Sequence, residues 1–368
     1  MLDYFGMCVR KPNFVFYRHH AESMLGILLP EVQANREFAR DLSVRISERI
    51  GRGDIDGAWH DVMSMKHIAC HYKNEPIFVT NIVGIRIDEM ACRSAKLILT
   101  HAHPTEEQLA GFVRDLENLP RVIPFSLALT FGRFSTYELL LRFHRMEKIF
   151  TQEEWDRIFW KEIPLSRSLA FLPIDRNIAG KRLTELDQEL YGGTGMEISE
   201  ESGQHVFGNP VLRRQYAERI VKKGNEIRHR LNSRSQWYRL PLIRTRSQWL
   251  AEGVFLFMIP ATESVFRAFD RSDSLNEMLR IALALERYKL ANEKYPESLD
   301  VLVPVFLEMV PLDPCTGRTT LVYKPVPHGD SPYTLYSLGP NGKDDNAQDW
   351  DGNTATSVNL SLNHDIVF

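Results

Sequence analysis

The chain has 368 residues, which is enough for two or three domains that each bury a core. Its 43% hydrophobic and 25% charged residues are ordinary for a globular protein, and its net charge of −3 argues against a general nucleic-acid binder. The four cysteines, Cys8, Cys70, Cys92 and Cys315, form no CxxC pair, so we expect buried, inert thiols rather than a disulfide framework or a cysteine zinc site.

Neither an export signal nor a membrane-spanning segment is predicted. The N-terminal residues contain no continuous apolar stretch of signal-peptide length. The most apolar segment, residues 254–261, is far shorter than the roughly 20 apolar residues that cross a bilayer. Taken alone, the sequence therefore favours a cytoplasmic protein with no transmembrane segment.

Residues 1–190 are predicted to form an irregular helical bundle of the helical-hairpin type. Asp54 is placed to cap one of its helices, whose apolar side has spacings of three and four residues: Trp59, Val62, Met63, Met65 and Ala69. No second copy of this pattern recurs at a fixed period, so a regular solenoid is not expected.

Other helix ends are marked by proline and by capping residues. Pro30 opens a helix that closes at a pair of glycines, and Pro76 starts another that runs to about Leu99. Thr105 and Gln108 have the spacing of a capping box, which predicts a further helix start.

Residues 191–210 are rich in Gly, Ser and Glu and are predicted to be a loop, followed by a basic helical connector over 211–273. Within the connector, residues 211–249 carry 11 Lys and Arg against 2 acidic residues. Anionic-membrane or RNA binding is one interpretation, because basic stretches with interleaved aromatic residues serve both purposes. The simpler interpretation is a solvated helix that packs along one apolar stripe, made of Leu212, Tyr216, Ile220, Ile227 and Leu231.

Residues 274–368 are predicted to form a small α+β domain with a net charge of −6, from 7 Lys and Arg against 13 Asp and Glu. Ser274 and Glu277 have capping-box spacing and open an amphipathic helix, which Pro296 ends. The alternating stretches TTLVYKPV and YTLYSLG predict two antiparallel strands. A loop dense in Asp and Asn follows, and the chain closes with the apolar residues DIVF.

These segments, in this order, resemble the C-terminal domain of the type II secretion system major pseudopilin, protein G. The matching stretches are ALERYKLANEKYPESLDVLV, VPLDPCTGRTTLVYKP and YTLYSLGPNGKDDN, and the resemblance covers about a quarter of the chain. In that family the helix is the distal part of a long pilin stem and leads into a small sheet. A helical region stands here where a pseudopilin has its apolar helix, as in uncharacterised bacterial proteins. The expected fold class is therefore α+β, with a mainly α-helical bundle followed by a pseudopilin-like module with a short antiparallel sheet.

The resemblance also implies a calcium site in the loop after Ser-Leu-Gly. The ligands carried over from the family are the carbonyl of Leu338 and the side chains of Asn341, Asp349 and Asp351. Asn341 stands where the family has Asp, which removes one charge, and Asp344 and Asp345 lie near enough in sequence to compensate. Carboxylate, amide and carbonyl oxygens are the ligands that calcium takes, and we expect weak affinity of the extracellular-module kind.

Three histidines, His60, His67 and His71, are predicted to share one helix face, because they lie at positions i, i+7 and i+11. A metal-dependent hydrolase that uses this face is an alternative function. It lacks the glutamate of an HExxH motif, and three exposed histidines on a polar face are the simpler interpretation.

No G-x-S-x-G, Walker A or Rossmann motif is present in the sequence. We therefore expect a non-enzymatic interaction or scaffold protein that carries a pseudopilin-like module, with calcium as its cofactor and no specific nucleic-acid partner. Its protein partner is unknown from the sequence. The resemblance suggests envelope or secretion components, and hence a location outside the cytoplasm.

Overall fold

The computed structural model describes residues 2–11, 30–122, 126–144, 173–191, 210–232, 242–326, 332–339, 342–347 and 366–368. Within them the fold is mainly helical with one small antiparallel sheet, as the predicted α+β class requires. In these residues, no helix combines the length and the apolar character needed to cross a membrane.

The helices in chain order are α1 (Leu2–Val9), α2 (Pro30–Gly51), α3 (Ile55–Lys73), α4 (Phe78–His101), α5 (Glu106–Glu117), α6 (Ser126–His144), α7 (Arg176–Tyr191), α8 (Pro210–Asn232) and α9 (Ile243–Asn292). A 3₁₀ turn, Leu299–Leu302, precedes strands β1 (Val322–Lys324), β2 (Thr334–Ser337) and β3 (Ile366–Val367).

Several helix ends lie where the sequence predicts them. The Asp54 side chain accepts from the backbone N–H of Gly57 at 3.0 Å and caps α3. Thr105 and Gln108 form both bonds of a capping box at the start of α5. These contacts satisfy backbone donors that a helix N-terminus otherwise leaves free.

The sheet has the order β1-β2-β3 and is antiparallel throughout. Tyr323 lies opposite Leu335 in the first pair, and Tyr336 lies opposite Val367 in the second. The two predicted strands are confirmed, and the final apolar residues of the chain add the third.

The predicted helix start at Ser274 is wrong. Ser274 lies inside α9, a continuous helix of 50 residues, and its hydroxyl donates to the carbonyl of Asp270 at 2.9 Å. A serine that bonds back four residues is an ordinary helix-interior residue and not an N-cap. The helix ends at Asn292, where Glu293 takes a left-handed conformation (φ 60°), and Pro296 follows shortly afterwards.

Two hydrophobic cores lie along α9. The first combines α2 to α5 with the second half of α9 and the sheet, and the second combines α6, α7 and α8 with the first half of α9. Residues 281–285 of α9 are all buried. Five successive helical residues point in every direction around the axis, so this part of α9 is enclosed by α4, α5 and the sheet. Consequently α2 to α5, from the predicted segment 1–190, share one core with the predicted segment 274–368, whereas α6 and α7 belong to the second core.

The basic helix α8 packs by its apolar stripe. Tyr216, Ile220, Ile227 and Leu231 are buried against the second core, and Leu212 lies outside the side chains that the structure describes. Arg230 pairs with Glu252, and Lys223 pairs with Glu189. Trp249 is 3% exposed and belongs to the core, so its ring offers no stacking surface. The predicted loop over 191–210 lies almost wholly outside the described residues.

Three of the four cysteines are buried as predicted, and Cys8 is partly exposed. All four are free, and Cys70, Cys92 and Cys315 are buried. Burial raises the pKa of the Cys70 thiol to about 11, which keeps it protonated and unreactive near neutral pH.

Candidate functional site

The predicted calcium ligands lie mostly outside the described residues. Asn341, Asp349 and Asp351 are not described, and Leu338 is. The backbone N–H of Leu338 donates to the Asp313 carboxylate at 3.0 Å. The calcium site therefore stays a prediction, with its backbone member placed at the end of β2.

Asp344, the described carboxylate closest in sequence to Asn341, already has hydrogen-bond partners. It accepts from the Tyr336 hydroxyl and from the Asn346 backbone N–H, both at 2.9 Å. These two bonds, with Lys324 at 3.8 Å, lower the pKa of the Asp344 carboxyl. Asp344 therefore fixes the start of the loop through its hydrogen bonds to Tyr336 and Asn346.

Asp313 organises this end of the module, and the sequence analysis assigned it no role. Its carboxylate is fully buried and accepts from the backbone N–H of Cys315 at 2.9 Å, the Ser337 hydroxyl at 2.7 Å and Leu338. Burial raises the pKa of Asp313 although these donors oppose the shift. The sequence signal that could have revealed this role is the Asp-Pro pair in VPLDPCTG, since an aspartate before a turn commonly accepts a hydrogen bond from the backbone two residues on.

The three histidines have different surroundings. His71 Nε2 donates to the carbonyl of Val9 at 2.6 Å, and His60 keeps 43% of its side chain exposed. Across the described part of the chain, no group of three or more His, Cys, Asp or Glu side chains is arranged to hold a metal ion. All three lie on α3, but His71 contacts α1 while His60 and His67 line a cavity.

This cavity, of about 680 Å³, lies between α3, α5 and the residue after α1. We call it the α3–α5 cavity; its lining includes Arg10, Trp59, His60, His67, Phe112 and Asp115. The Trp59 and Phe112 rings stack at 4.0 Å, and the indole N–H donates to Asp115 at 2.9 Å. The Arg10 guanidinium donates to the carbonyl of His60 at 2.5 Å.

The histidines in the cavity are neutral near pH 7. Burial, followed by the charge of Arg10, lowers the pKa of His60 and lowers that of His67 to about 4. Burial also lowers the pKa of Arg10 itself, although Asp115 and Asp61 oppose this. Arg10 remains charged at any physiological pH, because an arginine pKa starts far above neutrality. The cavity therefore combines one fixed cation with two neutral imidazoles.

A buried charge cluster joins α9 to α3 and α4. Asp88 accepts from Lys66 Nζ at 2.7 Å and from Lys73 Nζ at 2.6 Å. From α9, Ser272 and Asn276 donate to the same carboxylate at 2.8 and 2.7 Å. These five residues, all buried or nearly so, are called the Asp88 cluster below.

The three ionisable residues of the cluster, Asp88, Lys66 and Lys73, are all charged. Burial opposes the charge on Asp88, but Lys66 and Lys73 outweigh it and hold the pKa of the carboxyl well below its ordinary value. Burial likewise opposes the charge on both lysines, yet Asp88 raises their pKa values. Two cations on one carboxylate are tolerated because Asn276 Oδ1 also accepts from Lys66, at 2.6 Å, and the Ser272 hydroxyl accepts from Lys73, at 2.9 Å. The arrangement ties α9 to α3 and α4.

No protein-family model, curated protein or solved structure matches the chain.

Proposed function

We propose that the chain is a non-enzymatic scaffold protein, in which the helical region holds a pseudopilin-like module and presents it to a protein partner of the cell envelope or secretion apparatus. The observation that carries this proposal is the enclosure of α9. Its residues 281–285 lie in the core that α2 to α5 share with the sheet, and the Asp88 cluster ties it to α3 and α4. A module built in this way keeps a fixed orientation, which a scaffold needs and a flexible linker does not give.

The face offered to the partner is the stretch from the 3₁₀ turn to β1. Four large apolar side chains are exposed there: Val301 at 48%, Val305 at 75%, Met309 at 71% and Leu312 at 55%. Residues 274–368 carry a net charge of −6. Apolar side chains on an acidic module suit a partner whose contact face is apolar at the centre and basic at the rim.

Calcium belongs to the same proposal. Leu338, Asn341, Asp349 and Asp351 would hold the ion, which would cross-link the loop that follows β2. The support is that Asp313 fixes the Leu338 backbone beside the loop, whereas Asp344, which could compensate for Asn341, is already bonded to Tyr336. Calorimetric titration of the wild type and of an Asp349→Asn/Asp351→Asn variant tests it. Saturable binding that the variant loses supports the site, and no binding at millimolar calcium removes it.

The partner surface is tested by site-specific photo-crosslinking in the native host. A photo-reactive residue at position 305 is compared with one at position 44, where Val44 on α2 is equally exposed at 71%. We expect an envelope or secretion protein that crosslinks at 305 and not at 44. Val301→Lys/Met309→Lys should abolish the product, because lysines on this face repel a basic rim. Equal products at both positions, or a product that survives the lysines, would exclude this surface.

A further inference from the structure

The α3–α5 cavity is lined by one partly buried cation and by three exposed carboxylates. Arg10 and His67 are partly buried at its inner end, whereas Asp56, Glu107 and Asp115 are exposed along its rim. Asp115 is near enough to act on the charge of Arg10, but the two form no ion pair in the described part of the chain. The cation and the carboxylate therefore line one cavity without a direct contact.

At the inner end of the cavity, two polar atoms have no hydrogen-bond partner among the described residues. Arg10 uses Nη2 for its bonds to α3, and among the described residues its Nε and the Nδ1 of His67 have no hydrogen-bond partner. Buried polar atoms without partners are rare in folded proteins, and at a cavity they indicate a group that is bound there. At the rim, Asp115 uses Oδ2 for the Trp59 indole and keeps Oδ1 available.

We propose that the α3–α5 cavity binds a small zwitterion of the amino-acid class, with its carboxylate at Arg10 and its ammonium group at Asp115. A carboxylate pairs well with a guanidinium in a partly buried site. An ammonium group pairs with the rim carboxylates, and a side chain lies along the apolar edge that Trp59 and Phe112 provide. A volume of about 680 Å³ is within the range of small-molecule sites.

Charge excludes the competing ligand classes. Three rim carboxylates outnumber the single cation, so a phosphate or another polyanion would meet net repulsion. A simple cation would pair with the rim carboxylates alone and would leave the Arg10 Nε without a partner. Neutral His67 adds no positive charge, since its pKa is lowered to about 4. This site is separate from the partner surface proposed above and does not depend on it.

The test uses the full chain and the twenty standard L-amino acids, screened singly by thermal shift and then by calorimetry. We expect at least one to bind with a dissociation constant below about 10 mM. The methyl ester of that amino acid, which lacks the carboxylate, and its N-acetyl derivative, which lacks the ammonium group, should each bind at least about tenfold more weakly. These two ligands test the proposal without altering the protein.

Two variants and one control complete the test. Arg10→Gln and Asp115→Asn should each weaken binding by about tenfold or more, and the amide oxygen of the second variant can still accept from the Trp59 indole. Arg52→Gln is the matched control, because Arg52 is 74% exposed and lies outside the cavity. The proposal is overturned if no amino acid binds at about 10 mM, or if binding persists in both variants or with the ester.

Discussion

Asp88 is the residue on which the inner structure most depends, because two buried lysines have it as their shared counter-charge. Moving a charge out of water is unfavourable by several kcal/mol, and only close pairing with added hydrogen bonds offsets this. Lys66 is 1% exposed, so solvent cannot replace the carboxylate if it is removed. The cluster therefore stabilises one arrangement of α3, α4 and α9.

Asp88→Asn should destabilise the protein by about 3–5 kcal/mol, because it leaves two buried ammonium groups without a counter-charge. Urea denaturation followed by circular dichroism measures the free energy of unfolding. Asp41→Asn, at an exposed position of α2, is the matched control and should change the free energy of unfolding by less than about 0.5 kcal/mol. Equal values for the two variants would contradict the role given to Asp88.

His67 predicts a dependence of stability on pH. Its pKa is about 4 in the folded state against an ordinary 6.5, so the unfolded chain binds more protons between these values. The contribution of neutral His67 to the free energy of unfolding is fully present above pH 6.5 and is lost as the pH falls towards 4. After allowance for solvent screening, the effect is on the order of 1 kcal/mol.

The measurement is the free energy of unfolding at pH 7 and pH 5 for the wild type and His67→Gln. The difference between the two pH values should shrink in the variant, because glutamine does not titrate. An unchanged difference would show that His67 is not held neutral by the fold.

At the scale of the element, helices with local signals are the predictable part of this fold. Asp54 caps α3 by contacts within one turn, and the apolar positions of α3 and α8 follow the helical period. The alternating strands of the module are local patterns too, and both formed as predicted.

The middle of α9 was not predictable from local signals. Ser and Asp at residues 272–274 have the composition of a helix start, but α3 and α4 bury this turn inside a longer helix. The partners responsible are remote: Lys66 and Asn276 are 210 positions apart. In the candidate cavity, helical spacing placed His60 and His67 together, whereas Arg10 and Asp115 come from other elements.

Leu275→Pro distinguishes a continuous α9 from a helix that starts at Ser274. Proline at the first position of a helix is tolerated, whereas inside a helix it removes a hydrogen bond and is unfavourable by about 3 kcal/mol or more. Leu275→Ala is the control for the lost core packing of this buried side chain. We expect the proline variant to be less stable than the alanine variant by about 3 kcal/mol in urea denaturation. Equal stabilities would indicate a break in α9 at this point.

At the scale of the whole molecule, α9 connects two apolar cores through a polar layer. Phe266 and Phe269 belong to the second core, Leu275 and Met278 belong to the first, and the Asp88 cluster lies between them. The apolar parts fix which elements pack together, and the charged layer specifies how α9 lies along them. The sheet is thereby part of the first core, and its stability should be coupled to that of α3 and α4.

The most direct test of this account is hydrogen exchange in Leu335→Ala, a fully buried residue of β2. The variant should lose about 2–5 kcal/mol, and exposed Met309→Ala is the control on the same module. If the module is built into the helical body, the amides of α3 and of α9 residues 275–292 should lose protection together with those of β2. Faster exchange in the sheet alone, with α3 unchanged, would show that the module is a separate unit and would contradict the scaffold account.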